Sequence, residues 1–232
     1  MTKQKMKRRG WARAVVAGLG LALFAVSTAA EKFSFDGRSL EVPIPPGFCK
    51  LEESGPDAVM RKAIAPDLSP DLGLLFAFVE CEALPALRKN PHGPGGVAFG
   101  SVALMLKDGK PAPMKQTRRD LVVGGAGLAS ERDQVRAQVD AWMRTQSLPN
   151  VAERKEVGIA DVDPSGLFIL GTVTVSGNTK PTLLVQTMST TIVNGMGIIV
   201  TSNEPVGPRT TLSGILAEQK RNLAALVAAN RS

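Results

Sequence analysis

Few side chains in this sequence could do chemistry, and their spacing restricts what that chemistry could be. The chain has two cysteines, Cys49 and Cys81, and a single histidine, His92. No C-x-x-C redox motif is present. A zinc site needs a cluster of His and Cys ligands, which one histidine and two distant cysteines do not supply. A catalytic cysteine would need His92 as its base, yet His92 sits in "KNPHGPGG", a loop by composition. Pairing is the remaining chemistry. Cys49 follows "IPPGF", Cys81 lies 32 positions on, and a Cys49–Cys81 disulfide is expected. Closing a loop of that length is worth roughly 3–4 kcal/mol by chain entropy. A free reactive thiol and an intermolecular bond are the alternatives.

Carboxylates cluster locally at Glu80 and Glu82 and at Asp161 and Asp163. A hydrolase using carboxylates would need two of them facing each other across a cleft; as spaced, they read as strand-end and loop charges. "LVVGGAGLAS" invites a phosphate-loop reading, but it lacks G-x-G-x-x-G spacing and no G-K-[ST] follows. It reads instead as a flexible turn. "KDGKPAPMKQTRRD" carries Lys107, Lys110, Lys115, Arg118 and Arg119. It reads as a solvated connection with a helix start; the sharper alternative is a patch for an anion or an acidic partner. No G-x-S-x-G, S-x-x-K or H-E-x-x-H motif occurs. No residue is assigned a catalytic, cofactor-binding or metal-ligating role, and no cofactor is expected.

The N-terminus explains why cysteines would pair. Six basic residues precede an apolar run from Ala14 to Val26, and Ser27, Thr28, Ala29 and Ala30 follow. That is the layout of a secretory signal peptide over residues 1–30, with cleavage expected after Ala30 or Ala29. An uncleaved membrane anchor is the alternative. Arg8-Arg9 leaves both the general secretory and the twin-arginine route open. Export puts the thiols in an oxidising compartment, periplasmic or secreted. Processing also removes six of the 28 basic residues and none of the 21 acids, so the net charge falls from +7 to +1. With no tyrosine and no basic stripe with interleaved aromatics, nucleic-acid binding is not expected.

The elements that would position these residues fall within residues 31–232, read as one domain. "FSFDGRSLEVPIP" is a hairpin around Asp36-Gly37. "SGPDAVMRKAIAP" is a short helix, with Ser54 as its cap, Asp57 completing a capping box and Val59, Ala63 and Ile64 facing inward. Strands follow from Leu72 and over Val97 to Leu106. A helix capped by Ser130 buries Val135, Val139, Trp142 and Met143 at helical spacing. "EVGIADVD", "LFILGTVTV", "PTLLVQTMSTTIV" and "MGIIVTS" form an antiparallel meander, its last turn being Asn194-Gly195. A long terminal helix carries the stripe Leu212, Ile215, Leu216, Leu223, Leu226 and Val227. The fold class is therefore α+β: a two-layer sandwich whose antiparallel sheet is covered by helices including the C-terminal one.

This element order, with "LEVPIPPGFCKLEES" at one end and "TTIVNGMGIIVTSNEP" and "LAALVAAN" at the other, resembles small exported bacterial proteins of unassigned function. More distantly it is similar to the PsbP/Mog1-like α/β sandwich. The resemblance implies an accessory or binding protein rather than a catalyst. No metal-binding residues carry over, because His92 lies in no matching pattern. The expectation is a non-catalytic periplasmic accessory or binding protein with an envelope protein partner or small ligand. The alternatives are a carboxylate hydrolase and a membrane-anchored envelope protein that keeps its N-terminal segment.

Overall fold

A computed structural model describes residues 29–64, 69–91, 96–128, 131–145, 154–176 and 181–231. The expected signal segment up to residue 28, the loop holding His92 and the expected cap Ser130 lie outside the described residues. Ala30, the expected cleavage position, opens the first strand.

The chain begins with the hairpin β1 (Ala30–Phe35) and β2 (Arg38–Pro43). Asp36 and Gly37 have φ of 49° and 76°. Positive φ at both central residues matches the twist of the two strands, which is why Asp-Gly turns a hairpin here. After β3 (Phe48–Lys50) and α1 (Gly55–Ile64) come β4 (Leu72–Glu80), α2 (Leu84–Lys89), β5 (Phe99–Lys107) and the short β6 (Lys110–Pro111). Then follow α3 (Arg118–Ala126) and α4 (Arg132–Thr145), and the meander β7 (Arg154–Asp163), β8 (Gly166–Ser176), β9 (Pro181–Val193) and β10 (Met196–Pro205). The 18-residue helix α5 (Leu212–Ala229) ends the chain. The main sheet runs β3-β4-β5-β10-β9-β8-β7, with every pairing antiparallel and β6 added against β5. Asn194 and Gly195, at φ of 49° and 71°, make the β9–β10 turn as expected.

Alternation along β4 divides the core. Phe76 and Phe78 enter the larger apolar cluster, together with Val139 of α4, Leu223 of α5 and Leu40 of β2. Ala77 and Val79 face the other way and join Met60 of α1 and Leu84 of α2 in a smaller cluster. The protein is thus an α+β sandwich with its thick layer, α4 and α5, on one face. The second face is not bare, because α1 and α2 cover one end of it. The terminal stripe is buried at all six expected positions. It also hides a polar residue: Gln219 donates to Ser189 Oγ (2.8 Å) and to Val200 O (3.0 Å), and accepts from Ser202 Oγ (2.9 Å).

Two expectations are corrected. In α1, Val59 is exposed and Ala63 is too, while Asp57 and Met60 are buried. Asp57 sets the rotation of the helix. Its carboxylate accepts from Glu52 N–H (3.0 Å) and takes a two-pronged bond from Arg88 of α2 at 2.8 and 2.7 Å. That contact turns positions 57, 60 and 64 inward. Arg88 holds the Asp57 carboxyl below the usual range, with the Glu52 N–H adding to the effect against burial. The second correction is "LVVGGAG", expected as a flexible turn, which is the body of α3. A capping box starts it: Thr117 Oγ1 accepts from Asp120 N–H (3.2 Å), and the Asp120 carboxylate accepts from Thr117 N–H (2.8 Å). Two satisfied end groups offset the poor helix propensity of Gly124 and Gly125.

Candidate functional site

Cys49 and Cys81 form the expected disulfide. The bond ties β3 to the residue just past β4, and Cys81 N–H donates to Gly47 O at 2.9 Å. The "PPG" turn and the bridge together pin the edge of the sheet. This is a brace.

The structure gives Asp161 and Asp163 separate partners and brings Glu80 near Glu204. Asp163 is a turn residue, accepting from Ser165 N–H at 2.7 Å. Asp161 is the centre of a clamp. It receives Arg136 Nη2 at 2.5 Å, Lys220 Nζ at 2.5 Å and Arg132 Nη1 at 3.9 Å, so one carboxylate joins β7, α4 and α5. Burial raises the Asp161 carboxyl, but Lys220, the Val162 N–H and Arg136 together outweigh it and hold it below the usual range. Lys220 also lies 5.8 Å from the centre of the Phe168 ring. Asp140 lines the same shallow cleft and is bonded to Arg144. A carboxylate held ionised by three cations neither donates a proton nor stands free to attack, so this cleft is a structural junction.

The basic connection builds a different feature. Residues 113–117 are laid against the β9–β10 turn: Pro113 bridges Met196, and Met114 N–H donates to Gly195 O at 3.0 Å. Arg38 of the β1–β2 turn donates to the same carbonyl at 3.3 Å. Asn194 Nδ2 returns a bond to Ser39 O at 2.8 Å. This framework opens a cleft of about 650 Å³ under the start of α3. Its apolar wall is made by Met114, Val122, Pro164 and Ile192. Its basic edge is Lys115, Arg118 and Arg119. No ion pair engages these three among the described residues. Lys107 and Lys110, expected in the same patch, face each other across β5 and β6 and do not line the cleft. Asp120 is the one acid at the edge. Its carboxylate is turned back on Thr117, whose N–H and then hydroxyl hold it low.

The cleft offers an anionic group three cations that form no salt bridge among the described residues, beside an apolar wall that strengthens their field. Of its residues, sequence reasoning found the cations but not the apolar wall. Pro164 and Ile192 come from the meander and reach the cleft only through the fold.

One further carboxylate stands out. Glu204, near the end of β10, is pushed up to about 7 by burial, with Glu218 of α5 and Glu80 of β4 adding repulsion. No cation pairs with it among the described residues.

Among the described residues, no group of His, Cys, Asp and Glu is arranged to hold a metal, and no helix is long and apolar enough to cross a membrane. Comparison with protein-family models, curated proteins and solved structures finds no match.

Proposed function

We propose that this is an exported, non-catalytic accessory or binding protein, periplasmic or secreted, that holds an anionic group of its ligand or partner in the cleft under α3. The observation carrying the binding reading is the set Lys115, Arg118 and Arg119, outside any salt bridge among the described residues, beside an apolar wall. Two of the chain's carboxylates serve structure, Asp161 in its clamp and Asp57 on Arg88. The disulfide supports an oxidising compartment. The layout similar to the PsbP/Mog1-like sandwich supports an accessory role by analogy.

Titration with pyrophosphate and with an acidic peptide, read by backbone amide NMR, tests the site. The expected result is saturable shifts confined to residues 113–122 and 192–196, weakened by salt and lost in Arg118→Glu. Shifts elsewhere, or none, would remove the cleft as the binding site. Intact mass with and without reduction tests the compartment: a processed chain alkylated only after reductant is expected, and a full-length chain with two free thiols would overturn export.

A further inference from the structure

The outer surface of α3 reverses the usual order of a surface helix. From Leu121 to Leu128 the chain reads LVVGGAGL and has no polar side chain. Gly125 is buried, so close to the sheet that a Cβ there would collide with Leu167. Val123, Gly124, Ala126, Gly127 and Leu128 are exposed. Val123 is 64% accessible and Leu128 47%, and the only other exposed large hydrophobic among the described residues is Val59. A helix resting on a core normally turns polar residues to water; one that is apolar outward has something to meet there. Arg119 and Val123 are four residues apart, on one face, so cation and apolar group point the same way. The one acid beside the patch, Asp120, is hydrogen-bonded in the capping box and interacts with Arg119.

We propose that α3 and its basic edge dock peripherally on a lipid surface carrying negatively charged phosphate headgroups. This rests on the reading of the cleft as an anion site. Lys115, Arg118 and Arg119 meet headgroup phosphates, while Val123 and Leu128 enter the boundary with the acyl chains. Small outer residues, Gly124, Ala126 and Gly127, let the helix lie flat at that depth. Paired basic and exposed apolar groups are the signature of interfacial helices. A second copy fits poorly, because the patch offers its cations no free carboxylate.

Co-sedimentation of the protein with phosphatidylcholine vesicles, with and without phosphatidylglycerol, tests this. Binding is expected only with phosphatidylglycerol present, falling with added salt. Arg118→Glu and Arg119→Glu should each lower the partition coefficient by about fivefold or more. The double variant Val123→Ser/Leu128→Ser should lower it with the melting temperature unchanged. Loss on charge reversal with no effect of the serine variants would overturn the entry of Val123 and Leu128 into the acyl boundary. Absence of vesicle binding while pyrophosphate still shifts the cleft amides would overturn the lipid surface alone; absence of both would remove the cleft reading as well.

Discussion

Helices α5 and α3 rest on the same sheet and are built in opposite ways. Helix α5 is 18 residues long and buries seven of them. Even its buried polar residue, Gln219, has each half of its amide satisfied. Helix α3 is nine residues long, buries only Gly125 and presents valine to water. Stability therefore resides in α5, and α3 is held by its cap and by one close backbone approach. An element so lightly invested in the core is free to be specified by what it touches outside. The same contrast separates the two clusters of cations. Around Asp161 they share one carboxylate and lock α4 and α5 to β7, whereas those at the start of α3 form no salt bridge among the described residues.

The contrast can be broken most directly by truncation. Leu223→Ala in α5 should cost about 3–5 kcal/mol in urea unfolding, since the side chain is fully buried. Val123→Ala in α3 should stay within about 0.5 kcal/mol; an equal cost at both positions would mean α3 is a core element. Next in size is the disulfide. Cys49→Ala/Cys81→Ala should lose about 3–4 kcal/mol, with hydrogen exchange rising along β3 and β4 and not in α3. Adjacent glycines give a finer comparison. Nothing lies within 4 Å of a Cβ at Gly124, so Gly124→Ala should raise stability by about 0.5–1 kcal/mol. Gly125→Ala should lower it by about 1–2 kcal/mol, because Leu167 must move. Thermal melts of the two variants decide the point by their opposite signs.

An effect of similar size is expected on pH dependence. The Glu204 carboxyl lies above its unfolded value of 4.5, at about 7 in the folded protein. The folded state therefore binds the proton more tightly. Its contribution is fully present below the unfolded value and is lost as pH rises through the folded one. Stability should fall between those two pH values by on the order of 1 kcal/mol after solvent screening. Glu204→Gln should flatten that slope and be the more stable protein at pH above the folded value. A parallel profile in wild type and variant would assign the slope to another group.

Much of the architecture was legible in the sequence because it is locally encoded. Asp36-Gly37 and Asn194-Gly195 announce their turns through the positive φ each needs. The α5 stripe follows from spacing alone, and two cysteines admit one intramolecular connectivity. What was missed depends on partners far away in the chain. Val59 reads as an inward residue until Arg88, from another helix, rotates α1 through Asp57. Gln219, buried with Ser189 and Ser202 around it, gives no signal in the apolar stripe. Asp161 reads as a strand-end charge until α4 and α5 bring three cations to it. Helix α3 is a different kind of miss. The Thr117–Asp120 box was present in "QTRRD", but the glycines after it were weighed as a turn. Of the cleft, the cations were visible and the wall was not, since Pro164 and Ile192 belong to separate strand ends of the meander.

The measurement that tests the contrast most directly is hydrogen–deuterium exchange of the whole protein with and without phosphatidylglycerol-containing vesicles. The expected result is new protection confined to residues 113–128, with α5 unchanged. Protection that spares α3, or that appears on α5 or the Asp161 junction instead, would contradict the assignment of α3 as the binding element.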